Sequence, residues 1–73
     1  MKVRICLDTI TDIANFVLVA NSVKSDVYLT NDTNSLRVDG KSFLGVAHAK
    51  EFSSLWCECE EDIYSKIENF IVE

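Results

Sequence analysis

The chain lacks proline and contains only two glycines among its 73 residues. No repeat, low-complexity tract or flexible linker interrupts it, so nothing in the composition divides it into separate units. Its length allows one small domain with a limited core, which leaves little room for a deep catalytic cleft. We therefore expect a single globular domain over residues 1–73 that is not an enzyme.

Basic residues are also scarce. Seven lysines and arginines stand against twelve acidic residues, for a formal net charge of −5. This charge repels a phosphate backbone, so direct nucleic-acid binding is not expected. No apolar run approaches the roughly 20 residues that span a bilayer. The start of the chain, MKVRICLDTITD, has an aspartate where a signal peptide needs apolar residues. The sequence predicts a cytoplasmic protein that does not contact membranes.

Cysteine and histidine are too few for the sites that usually need them. The cysteines Cys6, Cys57 and Cys59 are odd in number and show no C-x-x-C spacing, which argues against a disulfide framework and a zinc site. His48 is the one histidine, and no G-x-S-x-G motif accompanies it. We expect no metal, no cofactor and no nucleophilic catalysis. His48 is expected at the surface or its boundary.

The triplet Gly-Lys-Ser at residues 40–42 has the ending of a phosphate-binding P-loop but not its beginning. The motif requires G-x-x-x-x-G-K-[ST], and position 35 is a serine. The chain is also too short for the parallel βαβ scaffold that supports such a loop. The sequence therefore disfavours nucleotide binding, and we predict that Ser42 caps a short helix.

Apolar periodicity in the first part of the chain predicts a strand and a helix. Residues 2–7 alternate between apolar and polar side chains, as in a strand with one buried face. A helix is predicted over residues 10–22, with Asp8 and Thr9 as candidate N-caps. Its apolar stripe comprises Ile10, Ile13, Phe16 or Val17, and Ala20.

The remaining segments predict a hairpin, a short helix, a strand and a last helix. Residues 25–32 and 34–40 are strand-like runs joined by the turn-rich NDTN near residues 31–34. One or two helical turns follow Ser42, and residues 53–59 alternate as the last strand. The closing helix is predicted over residues 61–71. Its apolar face comprises Ile63, Ile67, Phe70 and Ile71.

The predicted order is β-α-β-β-α-β-α, an α+β fold in which helices cover one face of a four-stranded antiparallel sheet. In this order, in its size and in the segment GKSFLGVA at residues 40–47, the chain resembles HPr, the phosphocarrier family of the bacterial sugar phosphotransferase system. That family opens its middle helix with K-S-[IL]-[MF]-G-[VL], and IANFVLVA at residues 13–20 is similar to its first-helix pattern A-A-x-F-V. The resemblance implies an HPr-like open-faced β-sandwich over the whole chain.

The segment that matches the family's phosphate-accepting site differs from it at each functional position. The family has His-Thr-Arg-Pro at the start of the first helix, where the helix N-terminus and the arginine stabilise a phosphoryl group. Ala14 and Phe16 anchor the comparison. On this alignment Thr9 replaces the histidine, Thr11 the arginine and Asp12 the proline. The resemblance therefore implies a divergent member that lacks the phosphocarrier function.

A second functional position of the family is retained at Ser42. It matches the serine that a dedicated kinase phosphorylates in many Gram-positive bacteria to control carbon catabolite repression. The resemblance thus implies HPr kinase and a transcriptional regulator as partners. Capping alone is the competing explanation, and both roles can coexist because free helix N–H groups also stabilise a phosphate.

The apolar residues after this serine form much of the family's docking patch for partner proteins. Phe43 and Leu44 match that patch, whereas Val46 is expected in the core. Two hypotheses follow. The chain is either an HPr-like regulatory protein of the phosphotransferase network controlled through Ser42, or an HPr-fold structural or interaction module without a phosphorylation role. The second hypothesis includes a second copy of the chain as a candidate partner.

Overall fold

The computed structural model describes residues 1–72. It shows the α+β fold class that the sequence predicts, with three helices and a four-stranded antiparallel sheet. The elements are β1 (Lys2–Ile5), α1 (Ile10–Asn21), β2 (Val27–Thr30), β3 (Arg37–Asp39), α2 (Phe43–Ala49), β4 (Leu55–Cys59) and α3 (Tyr64–Ile67), followed by a 3₁₀ turn over Glu68–Phe70. The strand order in the sheet is β1-β4-β2-β3.

The core lies between one face of the sheet and the helices, an arrangement compatible with an open-faced sandwich. Alternate residues of β4 point into it, so Leu55, Cys57 and Cys59 are buried. The helices contribute buried residues to the same cluster, which comprises Ile13, Phe16 and Ala20 of α1, Val46 and Ala49 of α2, and Ile67 of α3. Phe16 packs edge-on against Phe70, with ring centroids 5.7 Å apart. Burial of these apolar faces is the main stabilising term for so small a domain.

The predicted hairpin is present, but its strands are shorter and its loop is longer than the sequence indicates. β2 and β3 pair antiparallel, and the connection covers residues 31–36 rather than 31–34. The Asn31 side-chain oxygen accepts hydrogen bonds from the backbone N–H groups of Ser35 and Leu36, at 3.0 and 3.2 Å. Asn34 has a positive φ of 59°, a conformation that asparagine tolerates. These local bonds hold the loop and end both strands early.

The closing helix is much shorter than the predicted span of residues 61–71. α3 covers Tyr64–Ile67 only, and Ile71 leaves the helical layer to form an antiparallel bridge with Ile5. The Cys6 N–H donates to the Phe70 carbonyl at 2.8 Å, and the Val72 N–H donates to the Arg4 carbonyl at 2.9 Å. The backbone N–H and C=O groups on the free edge of β1 thus pair with the last residues of the described chain. If the helix continued through these residues, those edge groups would have no such partners.

Candidate functional site

The start of α1 is closed by its own side chains. Thr9 is the N-cap, and its hydroxyl accepts a hydrogen bond from the Asp12 N–H at 3.1 Å. In return, the Asp12 carboxylate accepts from the Asp8 N–H at 2.9 Å and from the Thr9 N–H at 3.2 Å. This capping box places a carboxylate on N–H groups at the helix N-terminus. Thr11, the other residue at the positions matched to the carrier site, is exposed.

Ser42 caps α2, as the sequence predicts. Its hydroxyl oxygen accepts from the Gly45 N–H at 3.1 Å, and its own N–H donates to the Asp39 carbonyl at 3.2 Å. The hydroxyl is therefore engaged in a hydrogen bond, but the residue as a whole is only half-buried. The geometry assigns Ser42 a structural role in starting α2.

Gly40 and Lys41 connect β3 to α2 through close backbone contacts. The Gly40 N–H donates to the Val27 carbonyl at 2.7 Å, and a Cβ added at Gly40 would lie 2.9 Å from that oxygen. The close approach to Val27 is what requires glycine here. The backbone conformation does not require it, since the φ of Gly40 is not positive. The Lys41 ammonium donates to the Val23 carbonyl at 2.7 Å, just beyond the end of α1. The triplet is a structural connection between β3, α1 and α2.

The residues that follow Ser42 divide between solvent and core. Leu44 is 81% exposed and Phe43 is 44% exposed, whereas Val46 is fully buried, as predicted. His48 is exposed near the end of α2, with its ring edge-on to Phe52 at 6.2 Å between centroids. The first turn of α2 therefore exposes two large apolar side chains, Phe43 and Leu44, to solvent.

The sequence prediction was wrong for Ile10 and did not single out Leu18. Ile10 is part of the predicted apolar stripe of α1, yet it is 72% exposed, and Leu18 is 70% exposed. With the half-buried Ala14, they recur at i, i+4 and i+8, which places them on one face of α1. The signal for this second stripe was the spacing of eight residues between Ile10 and Leu18.

The two helices that carry these exposed apolar residues, α1 and α2, are joined by a hydrogen-bonded side chain. The Asn21 side-chain NH₂ donates to the Val17 carbonyl of α1 at 2.9 Å and to the Lys41 carbonyl before α2 at 3.0 Å, which ties the end of α1 to the start of α2. Ile10 and Leu18 of α1 and Phe43 and Leu44 of α2 are four of the seven large exposed hydrophobic side chains within residues 1–72. Leu18 lines a cleft that it shares with Lys66 and Phe70, on the α3 side of α1. Exposed apolar side chains that lie together on a surface are typical of protein contacts.

The other face of the sheet carries aromatic residues whose polar groups are already paired. The Trp56 N–H donates to the Asp32 carboxylate at 3.0 Å, a bond that lowers the pKa of Asp32. The Arg37 guanidinium lies 3.7 Å from the centroid of the Tyr28 ring. A nearby cleft of about 460 Å³ is lined by side chains of both charges, the basic Lys24 and Arg37 and the acidic Asp26, Glu58 and Glu60. The hydroxyl of Thr30 is buried without a hydrogen-bond partner in the described structure.

The thiols do not form a chemical centre. Cys57 is fully buried, and burial raises its pKa to about 12, so it is protonated at neutral pH. Cys6 is exposed, and its hydrogen bond to Asp8 raises its pKa as well. In the part of the chain that the structure describes, no group of three or more histidine, cysteine or acidic side chains is arranged to hold a metal ion.

No helix within residues 1–72 has the length and apolar character needed to cross a membrane. Comparisons of the chain with models of known protein families, with curated proteins and with solved structures found no match.

Proposed function

We propose that this chain is a divergent HPr-like regulatory domain, without phosphocarrier activity, that docks partner proteins through Phe43 and Leu44 and is controlled by phosphorylation of Ser42. The observation that carries the proposal is the exposure of both apolar side chains directly after the capping serine. An HPr-like open-faced β-sandwich, a cytoplasmic location and association with the sugar phosphotransferase system are parts of the same proposal. They are supported by the resemblance of GKSFLGVA and by the order of the elements.

The start of α1 supports the loss of the carrier function. A phosphoryl group at this position would need room at the helix N-terminus. The Asp12 carboxylate lies there, where it accepts from the N–H groups of Asp8 and Thr9 just before the first turn. Its negative charge also repels an incoming phosphate. Thr9 and Thr11 provide no imidazole and no guanidinium.

A phosphate on Ser42 would change the docking area directly. It would add about two negative charges beside Phe43 and Leu44. Partners that bury this apolar area would bind less tightly, and partners with an arginine opposite the phosphate would bind more tightly. In this proposal HPr kinase adds the phosphate and a transcriptional regulator reads it.

A second candidate is an HPr-fold interaction module that is not phosphorylated. The half-burial of Ser42 and the engagement of its hydroxyl by the Gly45 N–H favour it, because a kinase would have to displace this cap. Both candidates use the same apolar side chains. Phosphorylation of Ser42 therefore distinguishes them.

The test is labelling of the purified chain by HPr kinase with ATP. We expect acid-stable phosphoserine on the wild type, none on Ser42→Ala, and normal labelling of Ser53→Ala, a control at an exposed serine. Enzyme I with phosphoenolpyruvate should leave the chain unlabelled. Absence of kinase labelling, or equal labelling of Ser42→Ala, would favour the unphosphorylated module.

A further inference from the structure

The two edges of the sheet differ in how their backbone groups are paired. β1 forms one edge, and residues 70–72 bond to it; the Cys6 N–H, for example, donates to the Phe70 carbonyl at 2.8 Å. β3 forms the other edge, and among residues 1–72 it pairs with β2 alone. An edge strand presents N–H and C=O groups to which a further strand can bond. The sheet therefore has one open edge, at β3.

The backbone groups that face this open edge belong to Arg37 and Asp39. The Gly40 N–H donates to the Val27 carbonyl at 2.7 Å, so Gly40 directs its N–H towards β2. Because successive residues of an antiparallel strand direct these groups to opposite sides, Asp39 directs its groups away from β2, as does Arg37 two residues earlier. The Asp39 carbonyl accepts from the Ser42 N–H at 3.2 Å and retains a second lone pair.

The side chains of β3 leave the edge accessible. Arg37 and Asp39 are exposed on either side of the half-buried Val38. Natural proteins often guard an open edge with a charged side chain. The Arg37 guanidinium instead lies over the Tyr28 ring of β2, 3.7 Å from the ring centroid. Leu36, directly before the strand, is 51% exposed. The edge thus combines outward-facing backbone groups with an exposed apolar side chain.

We propose that β3 pairs antiparallel with β3 of a second copy of the chain, about a twofold axis at Val38, so that the two sheets join through their open edges. In this register Arg37 lies opposite Asp39 of the second copy, and the twofold axis repeats the pair. Opposite charges at facing positions stabilise an antiparallel pair. Each pair would also exchange backbone hydrogen bonds through its outward-facing groups. The segment RVD is therefore complementary to itself.

The adjacent symmetric registers are disfavoured. An axis at Arg37 would place two arginines opposite each other, and an axis at Asp39 would place two aspartates opposite each other. Like charges at facing positions are destabilising. With the axis at Val38, Leu36 instead lies opposite Gly40 of the second copy, where the absence of a side chain leaves room for the exposed leucine. Charge and shape therefore select the same register.

The contact would be small, so the dimer should be weak. Residues 36–40 of each copy take part, fewer than the roughly 20–30 residues per side of a standard stable interface. The net charge of −5 on each copy opposes association, although charges beyond one Debye length, roughly 8 Å at about 0.15 M salt, are screened. The Asn31 side chain holds Ser35 and Leu36 in place before pairing, which reduces the ordering cost. We expect a dissociation constant between micromolar and millimolar.

The experiment is a concentration series of the full ¹⁵N-labelled chain from about 0.01 to about 1 mM, measured by sedimentation and by amide hydrogen exchange. A reducing agent excludes a disulfide between the exposed Cys6 thiols of two copies. We expect the average mass to rise towards that of a dimer. Exchange at the Arg37 and Asp39 N–H groups should slow several-fold with concentration. The Val38 N–H faces β2, so its exchange should not respond in this way.

Charge variants test the register. Arg37→Glu would face Asp39 of the second copy with a like charge and should abolish association, whereas Lys66→Glu, the same charge change on α3, should not. Asp39→Lys would face Arg37 of the second copy with a like charge and should also abolish association. An equimolar mixture of Arg37→Glu and Asp39→Lys has opposite charges at both facing pairs, so it should dimerise. Circular dichroism of each variant checks that the fold is retained.

Three outcomes would overturn the inference: a chain that stays monomeric up to about 1 mM, equal association of the Arg37→Glu variant, or a mixture of the two variants that stays monomeric. Association that protects amides outside residues 35–40 would identify a different contact between copies and would also overturn it. If association leaves exchange at Arg37 and Asp39 unchanged, the edge remains open to an extended strand of another protein, and the self-pairing is refuted. These measurements do not involve a phosphate on Ser42, so the pairing and the proposed function can fail separately.

Discussion

Two leucine-to-alanine substitutions give the sharpest test of the division between the core and the proposed docking surface. Leu29 in β2 is fully buried, whereas Leu44 in α2 is 81% exposed. Truncation of a fully buried leucine costs about 2–5 kcal/mol, which includes the cavity that it leaves. About a fifth of the Leu44 surface is lost on folding; a full burial contributes about 1.5–3 kcal/mol, so truncation there removes roughly 0.3–0.6 kcal/mol.

Alanine also favours helix slightly more than leucine does, so the net change for Leu44→Ala should stay within about 0.5 kcal/mol. Urea unfolding followed by the fluorescence of Trp56, the one tryptophan, measures both variants. The whole domain is expected to have about 4–11 kcal/mol of stability. Leu29→Ala should therefore lose a large share of the stability and unfold at a clearly lower urea concentration than the wild type. A loss above about 1.5 kcal/mol for Leu44→Ala would show that this residue packs in the core.

Three further predictions concern the site and the core. Asp12→Ala should destabilise the fold by about 0.5–2 kcal/mol through loss of the capping box with Thr9, measured by urea unfolding, and Asp12→Asn should lose less. Burial raises the pKa of Cys57 from 9.0 to about 12, so the unfolded thiol ionises first. The contribution of this thiol to stability should therefore be constant below about pH 9 and fall above it by up to about 1.4 kcal/mol per pH unit. An equal fall in Cys57→Val would contradict this assignment. Gly40→Ala should cost about 1–3 kcal/mol, because its Cβ would lie 2.9 Å from the Val27 carbonyl oxygen, and an unchanged thermal midpoint would refute that contact.

The two helix starts were predictable from the sequence because their bonds are short-range. Thr9 contacts the N–H of Asp12, three residues on, and Ser42 contacts the N–H of Gly45, also three residues on. A cap of this kind depends on residue type and spacing within one turn. The alternation that buries Cys57 likewise follows from the two-residue period of a strand.

The closing helix was not predictable in the same way. The apolar spacing of its segment fits a helix through Ile71, but the edge of β1, more than sixty residues earlier in the chain, offers hydrogen-bonding groups that pair with residues 70–72. Periodicity describes which side chains share a face and says nothing about such distant backbone partners. The shortening of α3 is therefore a long-range effect.

The exposed apolar side chains of α1 and α2 show the same division. Residue types and spacing established the α+β class, the capped α2 and the apolar pair Phe43 and Leu44, since these depend on neighbours within a few positions. Whether Ile10 faced the sheet or the solvent depended on how α1 is rotated against the core, and the larger stripe that includes Phe16 took the buried side. A helix with two apolar stripes can bury only one of them against a single sheet. The assembled fold therefore left Ile10 and Leu18 exposed on α1, and local sequence could not make that choice because it arises from packing among distant elements.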